Sequence, residues 1–316
     1  MTEPVRLTKA QKVTTLGVSA ALLANVLWGL GNVIIAKVPL AGLGIAFHRL
    51  WMASVLYTVI LYLSGGRLSI ASFRIGWKGA VAFAIDICCF FLAVKHTTLA
   101  DATTISALQP VVILFFAGAL FSERIERRHI ICTVVAVIGI GAVVQGSSQT
   151  GKVTLFGEAM AVAALFAWAW YFVASKQARQ HLGTLEYMTV VTIVGSIVTA
   201  PLAFATGQAQ GTAYGGLHPI TFVWVGLVVL LPGSGHLLVN WAHNHTTITL
   251  TSLLTLLMPV ISTAAAAWWL DQPVNSTQVI GIAIVLLALA IVIVGDEQSR
   301  RSSVVALAGT SPVIDP

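Results

Sequence analysis

Two ionisable side chains, Arg49 and Asp86, sit inside long apolar runs, "FHRLWMASVL" and "VAFAIDICCFFLAV". A carboxylate near the centre of a bilayer costs about 2.5–3.5 kcal/mol on insertion scales, so it persists where it has a task or a partner. Counted at 1.5 Å per residue from the nearer ends of their runs, Arg49 and Asp86 lie at depths of about 9 and 14 Å, which lets them meet on antiparallel neighbours. Two roles fit them: a gate or proton-sensitive site, or an ion pair that keeps two helices in register.

Other polar side chains recur at spacings of three and four, which places each set on one helical face. Asn25, Trp28 and Asn32 form one such set, Trp168, Tyr171 and Ser175 a second, and His236, Asn240 and His243 a third. Ser106 and Gln109 lie beside Pro110. Amide, hydroxyl and indole groups against lipid are costly, so these faces are expected to look inward. They either line a pocket, since small-molecule sites are apolar and aromatic with a few placed polar groups, or join helices through hydrogen bonds. The candidate binding residues are Asn25, Trp28, Asn32, Ser106, Gln109, Trp168, Tyr171, His236 and Asn240. Pro110, Pro232 and Pro259 are expected to interrupt their helices near the centre, since proline removes a backbone bond. A carbonyl freed in this way either faces a cavity or simply accompanies a bend.

Enzyme chemistry finds little support. "PGSGH" at 232–236 contains a serine and a histidine, but nucleophilic catalysis needs the base within hydrogen-bond reach. On a helix, Ser234 and His236 are two residues apart and project in different directions. His96 falls in a loop on the opposite face from His243 and His245, so no zinc site assembles. No GxxxxGK[ST] phosphate loop occurs. No catalytic residue, metal or cofactor is expected.

The elements that hold these residues follow from composition. Of 316 residues 57% are hydrophobic and only 9% charged, too little polar surface for a water-facing globule. Ten apolar runs reach about the 20 residues a membrane-spanning helix needs: 16–36, 43–63, 76–94, 99–121, 129–146, 156–175, 186–205, 220–241, 247–270 and 277–295. Barrel strands would be shorter and alternating. The first run is too long for a signal peptide and reads as a retained helix. Cys88, Cys89 and Cys132 lie within apolar runs and read as buried thiols. With the N-terminus placed in the cytoplasm, thirteen Lys and Arg fall in segments on that side, among them Arg67, Arg127, Lys176 and Arg179, against three on the other, Lys37, Lys95 and Lys152. The positive-inside rule therefore puts both termini in the cytoplasm. It also accounts for the net charge of +6 without a nucleic-acid partner.

One phrase occurs twice. "HTTLADATTISALQPV" at 96–111 and "HTTITLTSLLTLLMPV" at 245–260 share six of sixteen positions at an offset of 149, with Pro110 on Pro259. Five spans separate the copies, so the second half is inverted relative to the first. The expected fold is an all-α polytopic membrane protein with ten transmembrane helices in two inverted five-helix repeats. An N-terminal segment 1–15 precedes repeats over 16–146 and 156–295, and a disordered cytoplasmic tail 296–316 follows. Inverted repeats are typical of secondary transporters, whose site lies near the midplane between the halves; a purely structural duplication is the alternative.

With "LLANVLWGLGNVIIAK" (22–37), "FHRLWMASVL" (47–56), "AVKHTTLADATTISALQPVVILFFAGALFSERI" (93–125), "AVAALFAWAWYFVASK" (161–176) and "HTTITLTSLLTLLMPVISTAAAAWWLDQP" (245–273), the chain resembles the EamA family of the drug/metabolite transporter superfamily over about residues 15 to 295. The first half closes its fourth helix with "SER"; the second offers "LDQP", with Asp271 and no Glu, so that turn is expected to differ. The resemblance implies an exporter of small organic solutes such as amino acids or related metabolites. It would work by alternating access in the inner (plasma) membrane, as a monomer or a homodimer, with a small-molecule substrate and the lipid bilayer as its partners. The rival functions are an intramembrane serine hydrolase or protease built on Ser234 and His236, and a membrane scaffold that transports nothing.

Overall fold

The computed structural model describes residues 15–97, 99–146, 154–269 and 274–309. Its helices, in chain order, are α1 (Thr15–Lys37), α2 (Gly42–Leu63), α3 (Ile70–His96), α4 (Leu99–Ser106), α5 (Gln109–Phe121), α6 (Arg127–Gly146), α7 (Leu155–Ala178), α8 (Thr184–Ala205), α9 (Pro219–Ala242), α10 (Ile248–Leu254), α11 (Leu257–Trp269) and α12 (Ser276–Gly309). No strand occurs among the described residues. Without water, a backbone must satisfy its own polar groups, and a helix does so within one segment. Nine helical stretches among the described residues are long and apolar enough to cross a membrane, counting α4–α5 and α10–α11 as one each. The expected fifth span, 129–146, folds as α6, but side chains in its last turn lie outside the described residues and it is not among the nine. Large apolar side chains face outward, Phe115 80% and Trp268 84% exposed, as lipid contact requires.

Both copies of the repeated phrase break their helix. α4 ends at Ser106 and α5 starts at Gln109; α10 ends at Leu254 and α11 starts at Leu257. The break falls just ahead of Pro110 and Pro259. A proline ring clashes with the carbonyl four residues earlier, whereas in the first turn of a new helix its missing N–H costs no bond. Pro232 is different: α9 runs through it without the expected interruption. Neighbouring α1 braces that point. The Trp28 indole N–H donates to the Pro232 carbonyl at 3.1 Å, and Gly31 lies so close that an added Cβ would sit 2.8 Å from the proline ring.

The main packing pairs are α3 with α7, α1 with α9, α2 with α8 and α6 with α12. If five spans are counted in each half, the α3–α7 pair has its counterpart in α1–α9. The loop after α8 clasps the start of α2: the Leu43 N–H donates to Gln208 Oε1 at 2.8 Å, and His48 Nε2 bonds the Ala209 carbonyl at 2.8 Å. That loop turns at Gly211, whose φ of +69° glycine adopts without strain. α12 does not stop near Gly295, where composition predicts a disordered tail, but continues to Gly309. Asp296 ties this extension to the start of α6 through Arg128 at 2.8 Å and His129 at 2.9 Å. Asp271, residues 1–14 and residues 310–316 lie outside the described residues.

Candidate functional site

α1, α2, α3, α4, α7, α9 and α11 surround a cavity of about 460 Å³, its open mouth included. Of the residues singled out in the sequence, Trp28, Asn32, Arg49, Asp86, Ser106, Trp168, Pro232 and His236 line it, joined by Ile35, Ile87, Phe90, Phe91 and Met258. Two tryptophans, one from each half, meet edge to face: Trp28 and Trp168 have ring centroids 5.8 Å apart at 80°. His236 packs against Trp28 at 4.8 Å and Phe83 at 4.7 Å. Asn32 donates to Ser262 Oγ at 3.2 Å, which fixes its amide at the wall. The lining runs from the mid-helix positions Trp28, Trp168 and His236 toward the end of the bundle that carries Lys37 and His96, through Ile35, Phe90 and Phe91.

Arg49 and Asp86 face this space, but the expected ion pair between them does not form: no nitrogen–oxygen distance is within 4.0 Å. The Arg49 guanidinium instead lies over Phe83 and Phe91, 5.6 Å from each ring centroid, where the negative ring faces attract it.

Toward the opposite end polar side chains bond to one another. Asn240 donates to the Tyr171 hydroxyl at 2.6 Å and to the His236 carbonyl at 2.7 Å. Ser175 and Tyr187 share a hydrogen bond of 2.7 Å. Below them lies a charged cluster. Glu123 accepts from the Ile248 and Thr249 N–H groups at 2.7 and 3.0 Å and from the Thr249 hydroxyl at 2.8 Å, capping α10. It also pairs with Lys176 at 3.3 Å, a side chain with no exposure at all. Lys176 donates to the Thr246 carbonyl at 2.8 Å. Arg179, just past the end of α7, donates to the carbonyls of Asn240 and Leu182 and to the Thr184 hydroxyl. Burial lowers its guanidinium to about 10, so it stays a cation at neutral pH. Burial, with Lys176 and Arg179 nearby, pulls His243 well below the usual imidazole range.

The EamA-like transporter family model matches the chain twice, over residues 15–145 and 155–294. The chain belongs to the EamA-like transporter family. It is therefore a multi-pass membrane protein of a transporter family, with nine candidate spans among the described residues. Its relatives include the pseudopaline exporter CntI of Pseudomonas aeruginosa (strain UCBPP-PA14), 25% identical over 87% of this chain and 95% of the relative. A probable amino-acid metabolite efflux pump of Salmonella typhimurium is 23% identical over 90% of this chain and 97% of the relative. One solved crystal structure superposes with a TM-score of 0.72 at 17% identity, covering 87% of this chain and 97% of that one, which shows a shared fold.

Several residues named from the sequence fall outside the cavity of this transporter-family chain. Asn25 is fully buried and donates to the Ala21 carbonyl of its own helix at 2.7 Å. Gln109 accepts from Thr255 at 3.4 Å, joining the two helix breaks. Tyr171 and Asn240 do not line the cavity and are bonded to each other. Pro110 and Pro259 shape the breaks without lining the space. Ser234 makes no hydrogen bond to His236 and does not line the cavity. Sequence reasoning missed Glu123, Lys176 and Arg179, and it counted the two cations among the charges of cytoplasmic segments. A signal for Glu123 was present: it is the Glu of "SER", which the second half does not repeat.

Proposed function

We propose that this chain exports small organic solutes, such as amino acids or related metabolites, by alternating access between two inverted five-helix repeats. The observation that carries this reading is the cavity itself: Trp28, Asn32 and Ser106 of the first half face Trp168 and His236 of the second. A site shared between halves changes its exposure when the halves rock. With α6 read as the fifth of ten spans, the excess of Lys and Arg on one side favours both termini in the cytoplasm of an inner-membrane protein. In that orientation the Glu123–Lys176 cluster closes the cytoplasmic end, and the cavity faces outward. Inward opening then requires that this pair separate. Export is driven by an ion or solute gradient, and the unit is a monomer or a homodimer. The names of the relatives, an exporter and an efflux pump, favour the outward direction.

Uptake into everted membrane vesicles tests this. Vesicles containing the protein should accumulate at least one labelled solute from a panel of amino acids and their metabolites, above vesicles that lack it. Gradient collapse should abolish the excess. A folded protein that moves none of them, but whose Ser234 reacts with a serine-directed probe, would favour the hydrolase reading instead. Orientation is checked by single cysteines at Gly211 and Gln180, which should label from opposite sides, Gly211 from outside.

A further inference from the structure

Arg49 and Asp86 are 4% and 7% exposed, and among the described residues neither makes a hydrogen bond or an ion pair. Both line the same cavity. An unpaired ion in an interior is costly. Here no bond joins them, and both border the same cavity. An α-amino acid carries a carboxylate and an ammonium on one carbon, so its head group presents to the two poles the charges they lack. A guanidinium grips a carboxylate through two parallel N–H bonds. The remaining lining, including Trp28, Trp168, Phe90 and Met258, suits an apolar side chain.

We infer that Arg49 and Asp86 are the two poles of a receptor for a zwitterionic amino acid with an apolar side chain, Arg49 donating to its carboxylate and Asp86 accepting from its ammonium. This rests on the exporter reading above and names the chemistry its cavity selects. Arg49 then sets specificity for the acid group and Asp86 for the amine.

The test uses the full-length protein in lipid nanodiscs and three matched probes: L-leucine, 3-methylbutylamine, which lacks the carboxylate, and 4-methylpentanoate, which lacks the ammonium. Calorimetric titration should show wild type binding leucine about 10–100-fold more tightly than either analogue, the usual effect of losing one charge-assisted contact. Arg49→Gln should erase the preference for leucine over the amine and keep that over the acid. Asp86→Asn should do the reverse. A wild type that binds the three probes alike, or does not bind leucine, overturns the receptor. Variants that weaken all three probes equally also overturn it. If a variant does not fold, the wild-type ranking alone decides. Vesicle uptake separates the two levels. A protein that moves another solute but ignores the leucine series sinks the receptor alone. One that binds leucine as expected and moves nothing sinks the exporter reading alone.

Discussion

The buried charges at the two levels of this bundle are treated in opposite ways. At the Lys176 end, Glu123 has three donors and a counter-ion, and Lys176 and Arg179 have carbonyls, hydroxyls or a carboxylate within bonding distance. At mid-bundle, Arg49 has only two aromatic faces and Asp86 has no bonded partner among the described residues. A saturated cluster holds segments together; α10, α7 and the end of α5 meet there. An unsaturated pair beside a cavity still has bonding capacity for something that enters. The first arrangement is expected to govern which conformation is stable, and the second what is bound.

The largest effect is expected at the saturated end. Glu123→Gln keeps the shape but leaves Lys176 buried without its counter-ion, which typically costs about 3–5 kcal/mol. The purified variant should melt well below wild type, and adding Lys176→Met should recover part of the loss. An unchanged melting temperature would show that the pair does not hold this end. Asp86→Asn should behave in the opposite manner. Since no hydrogen bond or close ion pair is broken, stability should stay within about 1 kcal/mol of wild type, while vesicle uptake falls about tenfold or more through loss of a charged contact. A large drop in stability with normal uptake would erase the distinction between the two regions.

A finer contrast lies within α1. Asn32→Ala removes a cavity wall group and its bond to Ser262, so uptake should fall several-fold, with about 1 kcal/mol of stability lost. Asn25→Ala, which breaks only a bond inside its own helix, should leave uptake at the wild-type level. The smallest effect is expected at Ser72, whose hydroxyl donates to Glu186 at 2.5 Å, far from the cavity. Ser72→Ala should lower thermal stability by about 1 kcal/mol and leave uptake unchanged.

The spans were legible because their length and hydropathy are local properties of the chain, and Trp28, Asn32, Trp168 and His236 because polar groups on apolar helices turn inward. Depth was harder to read. Asn25 and Asn32 share a face, yet seven residues separate them by about 10 Å along the axis, and only Asn32 reaches the cavity. The prolines marked the discontinuities, but the break falls ahead of Pro110 and Pro259, while α1 braces Pro232 within an intact helix. Glu123, Lys176 and Arg179 escaped notice because a charge near the end of a span looks solvated in the sequence. Their partners come from distant segments: Glu123 is held by α10, more than a hundred residues beyond it, Lys176 by Thr246 and Arg179 by Asn240. Arg49 and Asp86 were placed at compatible depths, but only the structure shows that they line one cavity without bonding to each other.

Side-specific access to the cavity is the most direct measurement. In a variant with Cys88, Cys89 and Cys132 replaced by alanine, Ile87→Cys puts one thiol on the cavity wall. A membrane-impermeant thiol reagent should modify it from the outer face and not from the cytoplasmic face. Adding Glu123→Gln should raise cytoplasmic labelling as the saturated end loosens. Labelling of the wild-type Glu123 background from the cytoplasm, or equal labelling from both faces, would contradict closure by the Glu123–Lys176 cluster.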